Sequence, residues 1–362
     1  MMFQLPKYAA PDFSLEKFVS SPDAATEKVK IKGVAPDQFH ATSMYPEYYK
    51  IKGQWVLMPE TRMDCVPVIH PDGSLEAKEF RRLEVGETVI TGRTDDGTEG
   101  IYLHHSGFRG ANSQLDPFAF RSGRSRETSF DADYDQLVEL LKHDKDKGHI
   151  VWVLGPAAIF NIGARDAMEY ILDNGYAHAV FGGNAVGTHD LEGALFGTAL
   201  GQDIRTRENR HNGHYNHLDT INMINKAGSI REGIRELGID NGLIYSCVKN
   251  DVPFVLAGSI RDDGPLRDVI DDMAVVQDAM REHTMKATTV VCLATQLHTI
   301  ATGNLTPSYT VRNGEVRPVY IYAVDVSEFV LNKLRDRGTL EVTTIVANIQ
   351  DFLYKLTDKL QK

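Results

Sequence analysis

The chain has 362 residues, of which 42% are hydrophobic, enough for two domains and a large core. Its formal net charge is -11 and no run of Lys or Arg forms a basic stripe, which argues against nucleic acid or an anionic membrane surface as partner. No apolar run approaches the ~20 residues of a membrane-spanning helix, and Met1 to Leu15 lacks the charged and apolar stretches of a secretion signal.

Three well-separated cysteines, Cys65, Cys247 and Cys292, suggest neither a disulfide framework nor a zinc site, and Cys247 and Cys292, inside apolar runs, are expected to be core thiols. A cytoplasmic protein follows from these features. Up to about residue 130, short β-favouring runs (54–58, 65–69, 87–91 and 100–104) are separated by turn signals such as His70-Pro-Asp-Gly73 and Thr94-Asp-Asp-Gly97. They predict a small antiparallel β-rich domain over 1–130, closing with an Arg-, Ser- and Gly-rich connector at 108–130.

From Asp131 the period changes. Amphipathic segments at 134–142, 164–174, 266–282 and 326–336 alternate with continuous apolar runs at 149–154, 177–181, 242–247, 252–257, 288–293 and 319–324. Continuous apolarity marks strands buried on both faces. The pattern therefore predicts an α/β fold, a Rossmann-like, doubly wound parallel sheet of six strands over 131–362.

Open α/β sheets bind ligands at the carboxyl ends of their strands. The run 252–257 ends there in Arg261, Asp262, Asp263 and Gly264. The run 177–181 leads into Gly182-Gly-Asn-Ala185, where glycines allow close backbone approach and a following helix would offer amides to phosphate. An ordinary turn capped by Asn184 or Thr188 accounts for the same residues. His189 and Asp190 are adjacent, so they point apart on a helix and make a poor acid–base pair.

The run 319–324 ends at Asp325, a carboxylate able to accept both ribose hydroxyls of NAD and to repel the 2′-phosphate of NADP, or to cap the next helix. Residues 294–304 supply small polar groups for a pyrophosphate, whereas 155–163 does not match G-x-G-x-x-G. His211, His214 and His217 have metal-like spacing, but 205–218 reads as a polar loop without fixed geometry, so no metal is expected there.

Together these landmarks resemble a known family. Residues from about 147 to 355 look like the lysine-ketoglutarate reductase/saccharopine dehydrogenase-associated conserved region, which also forms the ornithine cyclodeaminase of certain archaea and the C-terminal half of cyanobacterial arginine-dihydrolase fusions. The motifs are Gly148-His-Ile-Val-Trp-Val-Leu-Gly-Pro156, Gly183-Asn-Ala185 with Thr188-His-Asp190, the run from Val248 to Pro265, Thr295-Gln-Leu-His298 and Gly303-Asn-Leu-Thr-Pro-Ser308. A more distant similarity, through the Lys249-Asn250 strand entry and the Asp263-Gly264 turn, is to deoxyhypusine synthase, whose catalytic-lysine segment has no counterpart here.

The resemblance implies NAD-dependent conversion of ornithine to proline and ammonia by a homo-oligomer acting on a small amino acid. It places Asn184, Ala185, Asp263, Thr295, Gln296, Asn304 and Asp325 around the dinucleotide. For catalysis Arg261 is the nearest carboxylate clamp, Lys249 a base if burial lowers its pKa, and Asp263 a group to orient an amine. Lys249 reads equally well as a surface lysine. An NAD-linked dehydrogenase or synthase on another amino acid or diamine, or a non-catalytic NAD-binding sensor, fits the same residues. Residues 309–317 depart from the family by lengthening the approach to the last strand, a change expected to alter the pocket. The Asp325 reading predicts tighter binding of NAD than of NADP by calorimetry, with the preference narrowed in Asp325→Ser.

Overall fold

The computed structural model describes residues 5–108, 130–327 and 341–362. Most of the connector expected at 108–130 and most of the helix expected at 326–336 lie outside the described residues.

The first hundred residues contain a short helix, α1 (Glu16–Val19), and β1 (Ala25–Lys28), β2 (Glu47–Ile51), β3 (Gln54–Leu57), β4 (Val66–Ile69), β5 (Leu75–Lys78), β6 (Thr88–Thr91) and β7 (Ile101–Leu103). They pair antiparallel in two sheets, ordered β1-β6-β4-β5 and β3-β2-β7. The expected His70–Gly73 turn joins β4 to β5, with Gly73 at φ 90° and its amide on the His70 carbonyl. Strand β2 escaped the sequence pattern because it buries charged residues. Lys50 sits inside and donates to the carbonyls of Phe18, Val19 and Ser21 at 3.0, 2.9 and 2.6 Å, so the end of α1 and the turn after it supply the acceptors its ammonium requires.

The rest of the chain runs α2 (Asp131–Lys147), β8 (Ile150–Leu154), α3 (Ile162–Asp173), β9 (Ala179–Gly183), α4 (Asn184–Phe196), the two-residue strands β10 (Thr198–Ala199) and β11 (Gln202–Asp203), α5 (His214–Ala227), α6 (Ile230–Leu237), α7 (Leu243–Lys249), β12 (Phe254–Ala257), β13 (Val269–Ile270), α8 (Met273–Thr284), β14 (Thr289–Leu293), α9 (Gln296–Leu305), β15 (Tyr309–Arg312), β16 (Glu315–Pro318), β17 (Tyr320–Asp325), β18 (Glu341–Val346) and α10 (Ile349–Gln361). Among the described residues seven strands form one parallel sheet in the order β13-β12-β9-β8-β14-β17-β18. The sheet grows from β8 in one direction, then restarts at β14 on the other side. Strands β8 and β14 are buried along their whole length, and apolar clusters cover both faces of the sheet. The Rossmann-like, doubly wound architecture is therefore the one expected, although two of its strands, β13 and β18, were not anticipated.

Two elements differ from the sequence reading. The apolar run 242–247 is not a strand but the start of α7. The buried Asp190 carboxylate accepts the amides of Leu243 and Ile244 at 3.0 and 2.8 Å, satisfying donors that a helix start leaves free. Burial of most of α7 explains the uniform apolarity that imitated a strand. The helix expected at 266–282 begins only at Met273, where Asp272 caps the amides of Ala274 and Val275; β13 precedes it.

The β15–β16 hairpin spans residues 309–318 and lies at the amino edge of the sheet, just before β17. Arg317 donates through two nitrogens to the Asp144 carboxylate at 2.9 and 3.1 Å, and the same carboxylate accepts the hydroxyls of Thr288 and Thr289 at 2.6 and 2.8 Å. From the other side, Tyr309 donates to the Met58 carbonyl at 2.8 Å. The hairpin thus braces the parallel sheet against the antiparallel region rather than shaping a pocket at the carboxyl edge.

Burial alone would raise the pKa of Asp144, but the Arg317 guanidinium and the Thr288 hydroxyl outweigh it and hold the carboxyl below its usual range. This contribution to stability is complete above the ordinary aspartate range and is lost as pH falls through the lowered value. Asp144→Ala leaves Arg317 buried without its partner, so denaturant unfolding should show a loss of about 3–5 kcal/mol at neutral pH, shrinking in acid.

Candidate active site

The reversal of strand order puts a crevice between the carboxyl ends of β8 and β14. Gly155, directly after β8, donates its amide to the Leu293 carbonyl at 2.7 Å, and a Cβ on it would lie 1.9 Å from the Ala294 carbonyl oxygen. Ala294 itself takes a left-handed φ of 48°, an uncommon conformation for a residue other than glycine. The chain then enters α9. Its N-cap, Thr295, makes no side-chain cap bond; the hydroxyl lies 3.2 Å from His298 Nδ1 instead. The first turn of α9 therefore keeps amides available to an anion.

On the other side of β8, Gly183 caps α4, and a glycine supplies no side-chain oxygen to its amides. Asn184 is the first residue of α4 rather than its cap. Its side-chain oxygen accepts the Thr188 hydroxyl and the Leu266 amide, both at 3.1 Å, tying α4 to the turn after β12. A Cβ on Gly183 would sit 3.0 Å from His298 Cε1, so the His298 ring reaches across the end of β8. Burial lowers the pKa of His298 and the nearby Arg261 charge lowers it further, while Asp262 opposes both. The imidazole is therefore an uncharged base at neutral pH.

The turn after β12 holds this group in reach. Asp262 accepts the Ser259 amide at 2.8 Å and the Arg261 amide donates to the Ser259 hydroxyl at 3.3 Å. Arg261 and Asp263 are exposed, and Gly264 takes φ 108°. At the end of β17, beside β14, Asp325 accepts the Ser327 amide at 2.8 Å through one oxygen, and its carboxylate retains further acceptor capacity.

These placements sort the expected residues. Asn184, Ala185, Thr295, Gln296, Arg261 and Asp263 come from loops and helix starts at the carboxyl edge, and Asp325 joins them from β17. Asn304 does not: it lies at the last turn of α9, about 12 Å along the helix from Gln296. Lys249 does not either. It is exposed at the end of α7, before β12 begins, and its ammonium lies 2.8 Å from the Asp173 carboxylate, whose hydrogen bond raises the lysine pKa. A base needs the opposite shift. His298, at the end of the Thr295-Gln-Leu-His298 motif but absent from the expected site residues, shows that opposite shift and stands at the carboxyl edge; its position in the first turn after a buried strand is the signal that points to it.

Asp190 is structural, pairing with Arg165 at 3.0 Å inside the fold. The three cysteines are free and buried, and burial pushes the thiols of Cys65 and Cys292 up to about 11 and about 12. Among the described residues no helix is long and apolar enough to cross a membrane.

The crevice fits a dinucleotide. Two uncapped helix starts flank the switch point where a pyrophosphate would lie, and Asp325 stands one strand beyond β14 where a ribose would follow.

Comparisons agree with this geometry. The family model described as arginine dihydrolase ArgZ-like, C-terminal, Rossmann fold matches residues 135–356. An ornithine cyclodeaminase of Methanopyrus kandleri is 37% identical over 95% of this chain and 80% of its own length. The bifunctional arginine dihydrolase/ornithine cyclodeaminase AgrE of a Nostoc species is 35% identical over 94% of this chain but 47% of its own. The solved LOR/SDH protein of Methanococcus maripaludis S2 superposes with a TM-score of 0.84 at 33% identity, covering 94% of this chain and 98% of that one. A ternary complex of AgrE with ornithine and NAD+ superposes with a TM-score of 0.58 at 34% identity, covering 94% and 46%. With a Rossmann domain matched over most of its length and relatives above 30% identity along nearly the whole chain, the protein belongs to the ArgZ-like C-terminal Rossmann-fold family, together with the archaeal ornithine cyclodeaminases.

Proposed function

We propose that this chain is an NAD-dependent ornithine cyclodeaminase, an ammonia-lyase converting ornithine or a close diamino acid to proline or its cyclic analogue. The observation that carries the reading is the uncharged His298 set between Gly183 and Thr295, with Arg261 beside it, at the switch point of a Rossmann sheet. The archaeal relatives named for this reaction and the AgrE complex with ornithine and NAD+ support it. NAD is the cofactor of the site; when bound it would supply a hydride acceptor for the substrate Cα and, after ring closure, the same hydride as donor, with no net oxidation.

The chain's own groups hold and prepare the substrate. The Arg261 guanidinium clamps the α-carboxylate, and Asp263 orients an amine. His298 Nε2 accepts a proton from the substrate ammonium, because an amine must be neutral before it can form an imine or close a ring. The starts of α4, at Asn184 and Ala185, and of α9, at Thr295 and Gln296, hold the pyrophosphate, and Asp325 the adenosine ribose. Asn304 and Lys249 have no part.

The same proposal takes 1–130 as a β-rich domain and 131–362 as the dinucleotide-binding domain. The buried thiols and acidic composition support a cytoplasmic enzyme. The exposed apolar Ile260 and Leu297 beside the site support a homo-oligomer that covers them.

His298→Asn should lower kcat by about 10²–10⁴-fold. In the unaltered enzyme kcat/KM should rise with pH through a value below the ordinary histidine range, and that limb should vanish in the variant. With catalytic NAD, ornithine should release ammonia without accumulation of NADH, and deuterium placed at Cα should reappear at Cα of the product. Stoichiometric NADH would instead identify a plain dehydrogenase, and absence of both ammonia and NADH with every diamino acid tried would leave a binding protein.

A further inference from the structure

A second cluster of chemically competent side chains lies on α4, apart from the His298 group. His189 and Glu192 are three residues apart and share one face of that helix. His217 was expected on a polar loop, but α5 starts at His214 and sets His217 against α4. His189 Nδ1 lies 3.1 Å and His217 Nδ1 3.9 Å from Glu192 Oε2, and one ligand atom from each residue falls within 4.8 Å of the other two.

The carboxylate is rigidly aimed. Glu192 is fully buried; Oε1 accepts the Thr198 hydroxyl at 2.7 Å and the Gly201 amide at 2.9 Å, and Oε2 accepts the Leu200 amide at 3.0 Å. His189 is 3% exposed and its ring packs on Phe160.

A hydrogen bond accounts for the His189 contact but not for His217. At 3.9 Å the second imidazole is too far to donate to Glu192, yet its Nδ1 is buried and has no hydrogen-bond partner. Leaving a buried polar atom unsatisfied costs about 1–3 kcal/mol. A divalent cation removes that cost. Zinc binds imidazole nitrogen and carboxylate oxygen at about 2.0–2.2 Å, which puts tetrahedral neighbours roughly 3.3–3.6 Å apart. The observed 3.1 and 3.9 Å from the two imidazoles to Glu192 bracket that spacing, and all three ligand atoms already lie within 4.8 Å of one another, so side-chain rotations without backbone movement bring them onto one ion.

We propose that His189, Glu192 and His217 form a binding site for one divalent cation of the zinc class. Two imidazoles and one carboxylate are a donor set that zinc, cobalt and iron(II) all accept. His217, 27% exposed, lies on the solvent side, which leaves a coordination position open to water there. The cation joins α4 to α5 and, through Glu192, to the turn at 198–201. The site is independent of the ornithine reading.

The test uses the full chain, stripped with chelator and titrated with Co2+. One equivalent should bind, with the visible d–d absorption of low-coordinate cobalt and a higher Tm. His217→Ala should lose the absorption and the Tm increase. The variant should stay folded and keep the NAD affinity of the stripped parent. His189→Gln, which preserves a donor toward Glu192, should lose cobalt as well. The double variant His211→Ala/His214→Ala should retain it. Absence of stoichiometric binding by the parent chain, or unchanged binding in His217→Ala, would overturn the site and leave a hydrogen-bonded clip between two helices.

Discussion

The close approach of β8 and β14 at their carboxyl ends is the constraint on which the rest depends. Gly155 and the Ala294 carbonyl pass within a distance that no β-carbon tolerates, and Ala294 adopts a left-handed turn to leave the strand. That turn starts α9 at the switch point of the sheet and carries His298 over β8 to meet Gly183 of β9. Helix starts, imidazole and acidic turn come together because two strands with opposite onward directions are neighbours.

The two edges of the sheet divide the labour. At the amino edge charges are consumed by structure: Asp144 holds Arg317 and two threonine hydroxyls, and Asp173 holds Lys249. Ion pairs join this edge to the antiparallel region as well, where Glu79 lies between Arg62 and Arg281. At the carboxyl edge the bonds of the β12 turn are local, from the Ser259 amide to Asp262 and from the Arg261 amide to Ser259, and the side chains of Arg261 and Asp263 stay exposed. Groups already saturated cannot bind a ligand without losing their partners, so position within the sheet, rather than residue type, separates Lys249 from Arg261.

Helix α4 connects these themes. Its start lies at the carboxyl-edge crevice, Asp190 caps α7, and Glu192 orders the turn after it. His189 and Asp190, adjacent in the chain, serve opposite sides of the helix, one facing α5 and the other Arg165 and α7.

Continuous apolarity by itself determined the strands β8, β9, β12, β14 and β17, because a strand buried on both faces has no polar side to show. The carboxyl-edge location of Arg261, Asp263 and Asp325 followed from the residues that end those runs. Only the tertiary structure decided the rest. The 242–247 run is a helix because Asp190, more than fifty residues earlier, caps it. Lys249 pairs with Asp173, and Asn304 sits two turns from the crevice, since one lies on the wrong edge and the other at the wrong end of α9. His298 and His217 acquire their neighbours across the sheet and between helices, contacts that no local period encodes.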